Sequence, residues 1–242
     1  MFARSPDGAL RQATRMARAF AGCPDAVFAW FSGLERDNSK AYFTATRDLY
    51  EHASRGGLEA MLAELREDFG GSVRTFRPQR DVRFSPDKSP YKTRAYGILE
   101  GAPSAPAGLY AELSAQGLYA GTGYYMPARD QLARLRAAID DDRAGTTLAA
   151  AADAAEDAGL ELSGGSLKTA PRGYPRDHPR IELLRRTALI AGRRLPGGNG
   201  IARDAALGHV DATWRASEPL TAWLERHVGP SVIPPERRFG RR

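Results

Sequence analysis

Between Tyr96 and Met126 the chain offers three strand-like runs in quick succession: Tyr96 to Glu100, Leu109 to Ser114 and Leu118 to Met126. Nothing between them is long enough for the crossover of about a dozen residues that a parallel pair requires. Neighbouring runs are therefore expected to pair antiparallel, the last two as a Tyr-rich hairpin about Gln116-Gly117. Upstream, Val73 to Phe84 contains alternating stretches, with Val82 and Phe84 on one face and Asp81 and Arg83 on the other.

The chain on either side of these strands has helical periodicity. Val27, Trp30, Phe31 and Leu34 share one face of a helix that starts after Pro24. Asn38 or Ser39 can cap a second helix carrying Tyr42, Phe43, Thr46 and Tyr50. Leu58, Met61, Leu62 and Leu65 mark a third, stopped by Gly70-Gly71. Downstream, Ala128 to Ile139 and Thr146 to Asp157 read as helices, Leu160 to Arg176 as loop, His178 to Leu184 as a turn and short helix, and Ala188 to Leu195 as a strand. A last helix spans Asp204 to His227, with a break or kink expected at Pro219. The expected fold class is α+β: an antiparallel β-sheet packed with helices from both chain halves, in a single domain over residues 19–228.

Residues 1–18 read as a disordered extension, with Met16 a second plausible start, and residues 229–242 as a flexible basic tail. The net charge of +6 comes from these two ends, because residues 19–235 hold 27 basic and 27 acidic side chains. A neutral body argues against a nucleic-acid-binding fold, which needs a basic face for phosphates. No apolar run approaches the roughly 20 residues of a membrane helix, and the N-terminus lacks the apolar stretch of a secretory signal. Cys23 is the only cysteine, so neither an internal disulfide nor a thiolate metal cluster can form within one chain. A cytoplasmic location is the expectation, with no membrane partner.

Charge is concentrated in one place. Arg74 to Arg94 contains Arg74, Arg77, Arg80, Arg83, Lys88, Lys92 and Arg94 against Asp81 and Asp87. The chain has only four lysines, Lys40, Lys88, Lys92 and Lys168, and two of them flank Tyr91. Ammonium is a compact charge that can lose its proton when buried, whereas guanidinium cannot. The segment reads as an anion site: Arg80 and Arg83 fork onto a carboxylate or phosphate, Lys88 and Lys92 add point charges, and Tyr91 donates a hydroxyl. The competing reading is an ion-pair network closed by Asp81 and Asp87. Arg80 and Arg83 have opposite parity and share a strand face only across a bulge.

Phe28 to Glu51 (FAWFSGLERDNSKAYFTATRDLYE), Arg80 to Thr93 (RDVRFSPDKSPYKT) and Gly164 to Arg186 (GGSLKTAPRGYPRDHPRIELLRR) carry a further signal. In order and spacing they resemble the bacterial and fungal domain-of-unknown-function 2461 family, over roughly Phe20 to Val228. Tyr42-Phe43 stands where that family typically has Trp-Phe, and Asp37-Asn38 where it has paired Asn. The resemblance implies one α+β domain and brings no activity, substrate, cofactor or catalytic residue.

Lys168, Arg172, Tyr174, Arg176, Asp177 and His178 form a second polar loop that could close over a ligand. Asp177-His178 could serve as orienter and base only if both turn toward a pocket, and His178 before Pro179 is more often a helix-entry residue. His52, His209 and His227 fall on helices, as surface or packing residues. Tyr110, Tyr119, Tyr124 and Tyr125 fit sheet packing better than a ring-stacking pocket. Ser163 to Thr169 lacks the Gly-Lys of a phosphate loop, and Gly197 to Gly200 lacks a dinucleotide-binding context. Asp140-Asp141-Asp142 reads as a solvated helix end rather than a metal site.

The leading reading is a pocket for a small anionic metabolite walled by Arg80, Arg83, Lys88, Tyr91 and Lys92, with Lys168 and His178 as contributors. No cofactor or metal is called for. A reaction there would use acid–base chemistry of Lys92, Tyr91 or His178. The alternatives are a structural or protein-interaction module built on the salt-bridged segment and, ranked last, a nucleic-acid binder.

Overall fold

Pro24, with φ −66° and no N–H to leave unsatisfied, sets the start of the first helix, α1 (Asp25–Arg36), in a computed structural model that describes residues 19–103, 105 and 107–234. The predicted stripe of Val27, Trp30, Phe31 and Leu34 is buried. Ser39 caps α2 (Lys40–Ala45), its hydroxyl accepting the Tyr42 N–H at 3.1 Å. The single helix expected through Tyr50 breaks at Thr46. It continues as one turn, α3 (Arg47–Leu49), then as a π-helical segment, Tyr50–Arg55, that runs directly into α4 (Gly56–Phe69). The Gly56 N–H bonds the Glu51 carbonyl, the i→i+5 closure of a π-helix. Gly70, at φ 72°, ends α4.

Six strands follow: β1 (Ser72–Thr75), β2 (Arg94–Glu100), β3 (Leu109–Ser114), β4 (Gly117–Tyr124), β5 (Glu161–Ser163) and β6 (Leu189–Leu195). They hydrogen-bond in the order β1-β2-β3-β4-β6-β5 as an antiparallel sheet. The hairpin turn is Ala115-Gln116, one residue earlier than expected, because Gly117 takes the positive φ of 119°. A Cβ at Gly117 would lie 2.2 Å from the Leu195 carbonyl, so close strand approach also demands glycine there. The remaining helices are α5 (Arg129–Asp140), α6 (Asp142–Asp157), α7 (Ile181–Arg185), α8 (Arg203–Ala216) and α9 (Glu218–His227). The α8–α9 break falls at buried Ser217, whose hydroxyl donates to the Thr213 carbonyl at 2.7 Å. Pro219 sits in the first turn of α9, where its missing N–H costs nothing.

Two compact units divide the chain. The first comprises the chain to Leu99 with Ala111–Leu118 and Arg194–His209. Its buried side chains include Leu58, Met61, Leu62 and Leu65 of α4, Ala95 and Leu99 of β2, and Trp30 and Phe31 of α1. Gly97 lets α4 approach β2 closely: a Cβ there would stand 2.7 Å from Leu62 Cδ1. Glu112, 5% exposed, receives Arg194 at 3.2 Å and Arg94 at 3.5 Å, so its charge is matched.

The second unit comprises Glu100–Tyr110, Tyr119–Arg193 and the chain from Val210. Its core joins Leu135 and Ile139 of α5, Leu148 and Ala155 of α6, Leu184, Leu189, and Leu220, Trp223 and Leu224 of α9. The alanine-rich α6 buries Ala144, Ala152 and Ala155, and the Ala144 carbonyl accepts the Trp223 indole N–H at 2.9 Å.

Two further sequence expectations change. The strand expected through Phe84 ends at Thr75, and Val82 and Phe84 form no sheet face, Phe84 being 95% exposed. Pro78, Pro86 and Pro90 deny the ladder its donors, and the chain closes on itself as a loop instead. The loop expected from Leu160 to Arg176 contains β5, which pairs antiparallel with β6 through Leu162 and Ala191. The expected extension at 1–18 and the tail beyond 234 lie outside the described residues. No described helix is long and apolar enough to cross a membrane.

Candidate functional site

The first unit contains a cleft of about 520 Å³, lined by α2, the π segment and the chain around Arg77 and Tyr91. Its cations are Lys40, Arg47, Arg55 and Arg77, facing one carboxylate, Glu51. Phe43, Thr44, Thr75, Pro78, Gln79 and Tyr91 complete the wall.

Local structure explains each position. Tyr42 folds under α1, its hydroxyl donating to the Trp30 carbonyl at 3.0 Å over Gly33, where any Cβ would collide with it. That docking fixes α2 and turns Phe43 toward Tyr91. The two rings stack with centroids 4.1 Å apart and planes 6° apart. Arg47, Glu51, Arg55 and Glu59 form a ladder at four-residue spacing, with contacts of 3.7, 3.3 and 3.4 Å. Glu59 also accepts the Thr75 hydroxyl at 2.7 Å, which ties β1 to α4. Lys40 and Arg77 are exposed and form no ion pair among the described residues.

The basic segment forms a loop pinched at its neck. The Arg80 N–H bonds the Pro90 carbonyl and the Lys92 N–H bonds the Pro78 carbonyl, each at 2.8 Å. Asn38 brackets Tyr91 like a peptide group, accepting its N–H at 2.9 Å and donating to its carbonyl at 3.1 Å. Within the loop, Arg80 bonds Asp87 and the Ser89 carbonyl, Arg83 bonds Asp81 at 2.6 Å, and Lys88 bonds the Val82 carbonyl at 3.0 Å. Lys92 donates to the Arg77 carbonyl at 2.8 Å and to the Tyr96 hydroxyl at 3.0 Å. Bonds from Arg83 hold the Asp81 carboxyl down at about 2, and bonds from Ser89 and then Arg80 do the same for Asp87.

Of the wall expected from sequence, Tyr91 alone lines the cleft. Arg80, Arg83 and Lys88 are spent on internal bonds, and Lys92 acts one step back, on Arg77. Lys40, Arg47, Glu51 and Arg55 were missed. The signal available was the four-residue charge spacing from Arg47 to Glu59, which reads equally well as an ordinary solvated helix face.

Lys168 and His178 are not among the cleft residues. In the second unit, His178 Nδ1 accepts the Arg180 N–H at 3.0 Å, so its Nε2 carries the proton toward Asp140 at 3.2 Å. Its carboxylate partner is Asp140, not the exposed Asp177. Arg180 caps α5 through the Ile139 and Asp140 carbonyls at 2.7 and 3.1 Å, and Asp141 caps α6 through the Ala144 N–H at 2.8 Å. These residues thus form the α5–α6 corner. Lys168 is exposed. Among the hairpin tyrosines, Tyr110 and Tyr119 pack edge to face at 6.1 Å, Tyr124 bonds the Gly229 carbonyl at 2.9 Å, and Tyr125 is exposed. No described group of acidic, His and Cys side chains has the arrangement of a metal site.

A family model described as conserved hypothetical protein, DUF2461, matches residues 26–223, a span that includes every residue of the cleft. Neither the curated proteins nor the solved structures yielded a match.

Proposed function

The chain belongs to the DUF2461 family of conserved hypothetical proteins, and from that premise we propose that it binds a small anionic metabolite in the cleft between α2, the π segment and the Arg77–Tyr91 chain. The observation that carries this reading is the charge of the lining: four cations against one carboxylate, with Lys40 and Arg77 in no ion pair among the described residues. An anion entering there gains charge-assisted hydrogen bonds without first breaking the Arg47–Glu51–Arg55 ladder. Tyr91 and Arg77 are the binding residues that the basic loop contributes. Arg80, Arg83, Lys88 and Lys92 hold the loop in shape behind them.

The internal pairing of Arg80 with Asp87 and Arg83 with Asp81 favours a second reading for the loop itself, as an ion-paired scaffold. The two readings divide cleanly by residue. Thermal shift of the full chain against phosphorylated and carboxylated metabolites separates them. A ligand at one hundred times its Kd should add about 2.7 kcal/mol of stability. Lys40→Gln with Arg77→Gln should remove that gain while leaving the unliganded melting temperature close to the parent's. If no anion raises the parent's melting temperature, or the double variant responds like the parent, the cleft reading fails.

A further inference from the structure

Aromatic rings run in series from the core of the first unit out to the cleft. Trp30 and Tyr50 are buried, with centroids 5.4 Å apart, and both pack on Phe43, at 5.9 and 5.2 Å. Phe43, 6% exposed, then stacks flat on Tyr91 with centroids 4.1 Å apart. Tyr91 ends the series and is not buried. A ring stacked face to face on a buried neighbour turns its opposite face outward, and Tyr91 is a cleft residue. Among the described residues that outer face meets no further ring, and the Tyr91 hydroxyl makes no hydrogen bond. Asn38 holds the Tyr91 backbone on both sides, and Phe43 holds the ring. The outer face is thus a fixed platform, which loses little freedom when a second flat ring lies on it.

The platform has a polar neighbour. Tyr91 and Gln79 face each other as an antiparallel bridge across the neck of the loop. The Arg80-to-Pro90 and Lys92-to-Pro78 bonds flank the pair on either side, so it is of the non-hydrogen-bonded kind, whose side chains stand closest together. Both side chains line the cleft. The Gln79 amide makes no hydrogen bond among the described residues, and it offers donors and an acceptor together. A bare anion has no use for the acceptor. The edge of a flat nitrogenous ring, which presents donors and acceptors side by side, uses both. The free cations of the same cleft, Lys40 and Arg77, supply what the anionic part needs.

We infer that the ligand of the cleft carries a flat heteroaromatic ring joined to its anionic group, the ring stacking on the outer face of Tyr91 with its polar edge at Gln79. This rests on the cleft being an anion site and names the class of anion it takes. Nucleoside monophosphates and heteroaromatic carboxylates share that chemistry. The cleft, about 520 Å³, falls within the roughly 300–1,000 Å³ usual for ligands of this size.

The test is calorimetric titration of the full chain with probes paired by anion. AMP and UMP are set against ribose 5-phosphate, which keeps the phosphate and lacks the base. Nicotinate is set against cyclohexanecarboxylate, which keeps the carboxylate and lacks the flat ring. In at least one pairing the ring-bearing probe should bind about tenfold tighter or more. The pairing that shows it separates nucleotide from carboxylate. Tyr91→Leu should abolish the advantage and leave the ringless probe unchanged, whereas Tyr91→Phe should keep it. Lys40→Gln with Arg77→Gln should weaken ring-bearing and ringless probes alike. If ringless probes bind as tightly as their ring-bearing partners, the ring assignment is wrong and the anion reading stands. If the double variant binds every probe like the parent, or the parent binds none, the anion reading falls and the inference with it. A ring advantage that survives Tyr91→Leu overturns the stacking on Tyr91. Should Tyr91→Leu fold poorly, Gln79→Ala decides: it should cut the ring advantage severalfold, and an unchanged ratio overturns the inference.

Discussion

At the scale of single residues, Asn38 does the most to position the candidate site. Its side chain makes both hydrogen bonds that a neighbouring strand would otherwise make to Tyr91, at 2.9 and 3.1 Å, across 53 positions of sequence. Tyr91 stacks on Phe43 only while that bracket holds the loop against α2. Asn38→Ala should therefore destabilise the protein by about 1–2 kcal/mol, a fall of roughly 2–8 °C in Tm for a chain of this size. Asn38→Asp, which still accepts the Tyr91 N–H but cannot donate, should fall between the parent and Asn38→Ala. A scanning-calorimetry trace for Asn38→Ala that overlays the parent would refute this role. Asn38 and Ser39 were both legible in the sequence as possible helix caps, and Ser39 does the capping. Nothing in a linear reading reveals that an amide side chain is used against a backbone half a domain away. The same holds for Arg80 and Arg83, whose residue type suggested a ligand, whereas their geometry gives them Asp87 and Asp81.

At the scale of elements, the parts governed by local periodicity were legible: α1, α4, the β3–β4 hairpin and the break near Pro219 all lie where their residues dictate. The parts fixed by distant partners were not. β5 is three residues long and exists because β6 pairs with it. The π segment adds no composition signal of its own. The cleft needs residues 40–55 beside residues 75–91, an assembly only tertiary structure creates. The loop from Arg80 to Lys92 is an element of a third kind, held by side-chain bonds in place of a ladder, and so its order should depend on pH. Asp81 and Asp87 both ionise near 2 in the folded chain, below the roughly 3.9 of an unfolded aspartate. Their contribution is complete above about pH 4 and is lost as pH falls toward about 2. Both are solvent-exposed, so the effect is modest and shrinks with salt. Urea midpoints measured from pH 5 to pH 2 should fall less for the Asp81→Asn, Asp87→Asn double variant than for the parent. Parallel curves would show that the loop carboxylates stabilise nothing.

At the scale of the whole molecule, the question is where the folded structure stops. Composition places the tail from residue 229, because half of the chain's net positive charge gathers beyond it. The hydrogen bonds run further. The Gly229 carbonyl accepts from both Gln131 and Tyr124 at 2.9 Å, Arg134 reaches the Pro230 carbonyl at 2.8 Å, and Asp130 accepts from Ser231 Oγ at 2.8 Å and the Val232 N–H at 2.9 Å. Four side chains of α5 and β4 thus depend on residues 229–232. Gln131 is buried and Tyr124 half-buried, so losing their acceptor leaves donors that water reaches poorly. A chain ending at residue 234 keeps every one of these bonds and should melt close to the full protein. A chain ending at 228 should lose about 2–4 kcal/mol, the worth of two or three such hydrogen bonds, and roughly 4–16 °C in Tm. Hydrogen exchange at the start of α5 should quicken in the shorter chain and remain unchanged in the longer one. Equal melting of both truncations would mean that the segment rests on α5 without supporting it, and that the charge boundary read from composition is also the boundary of the fold.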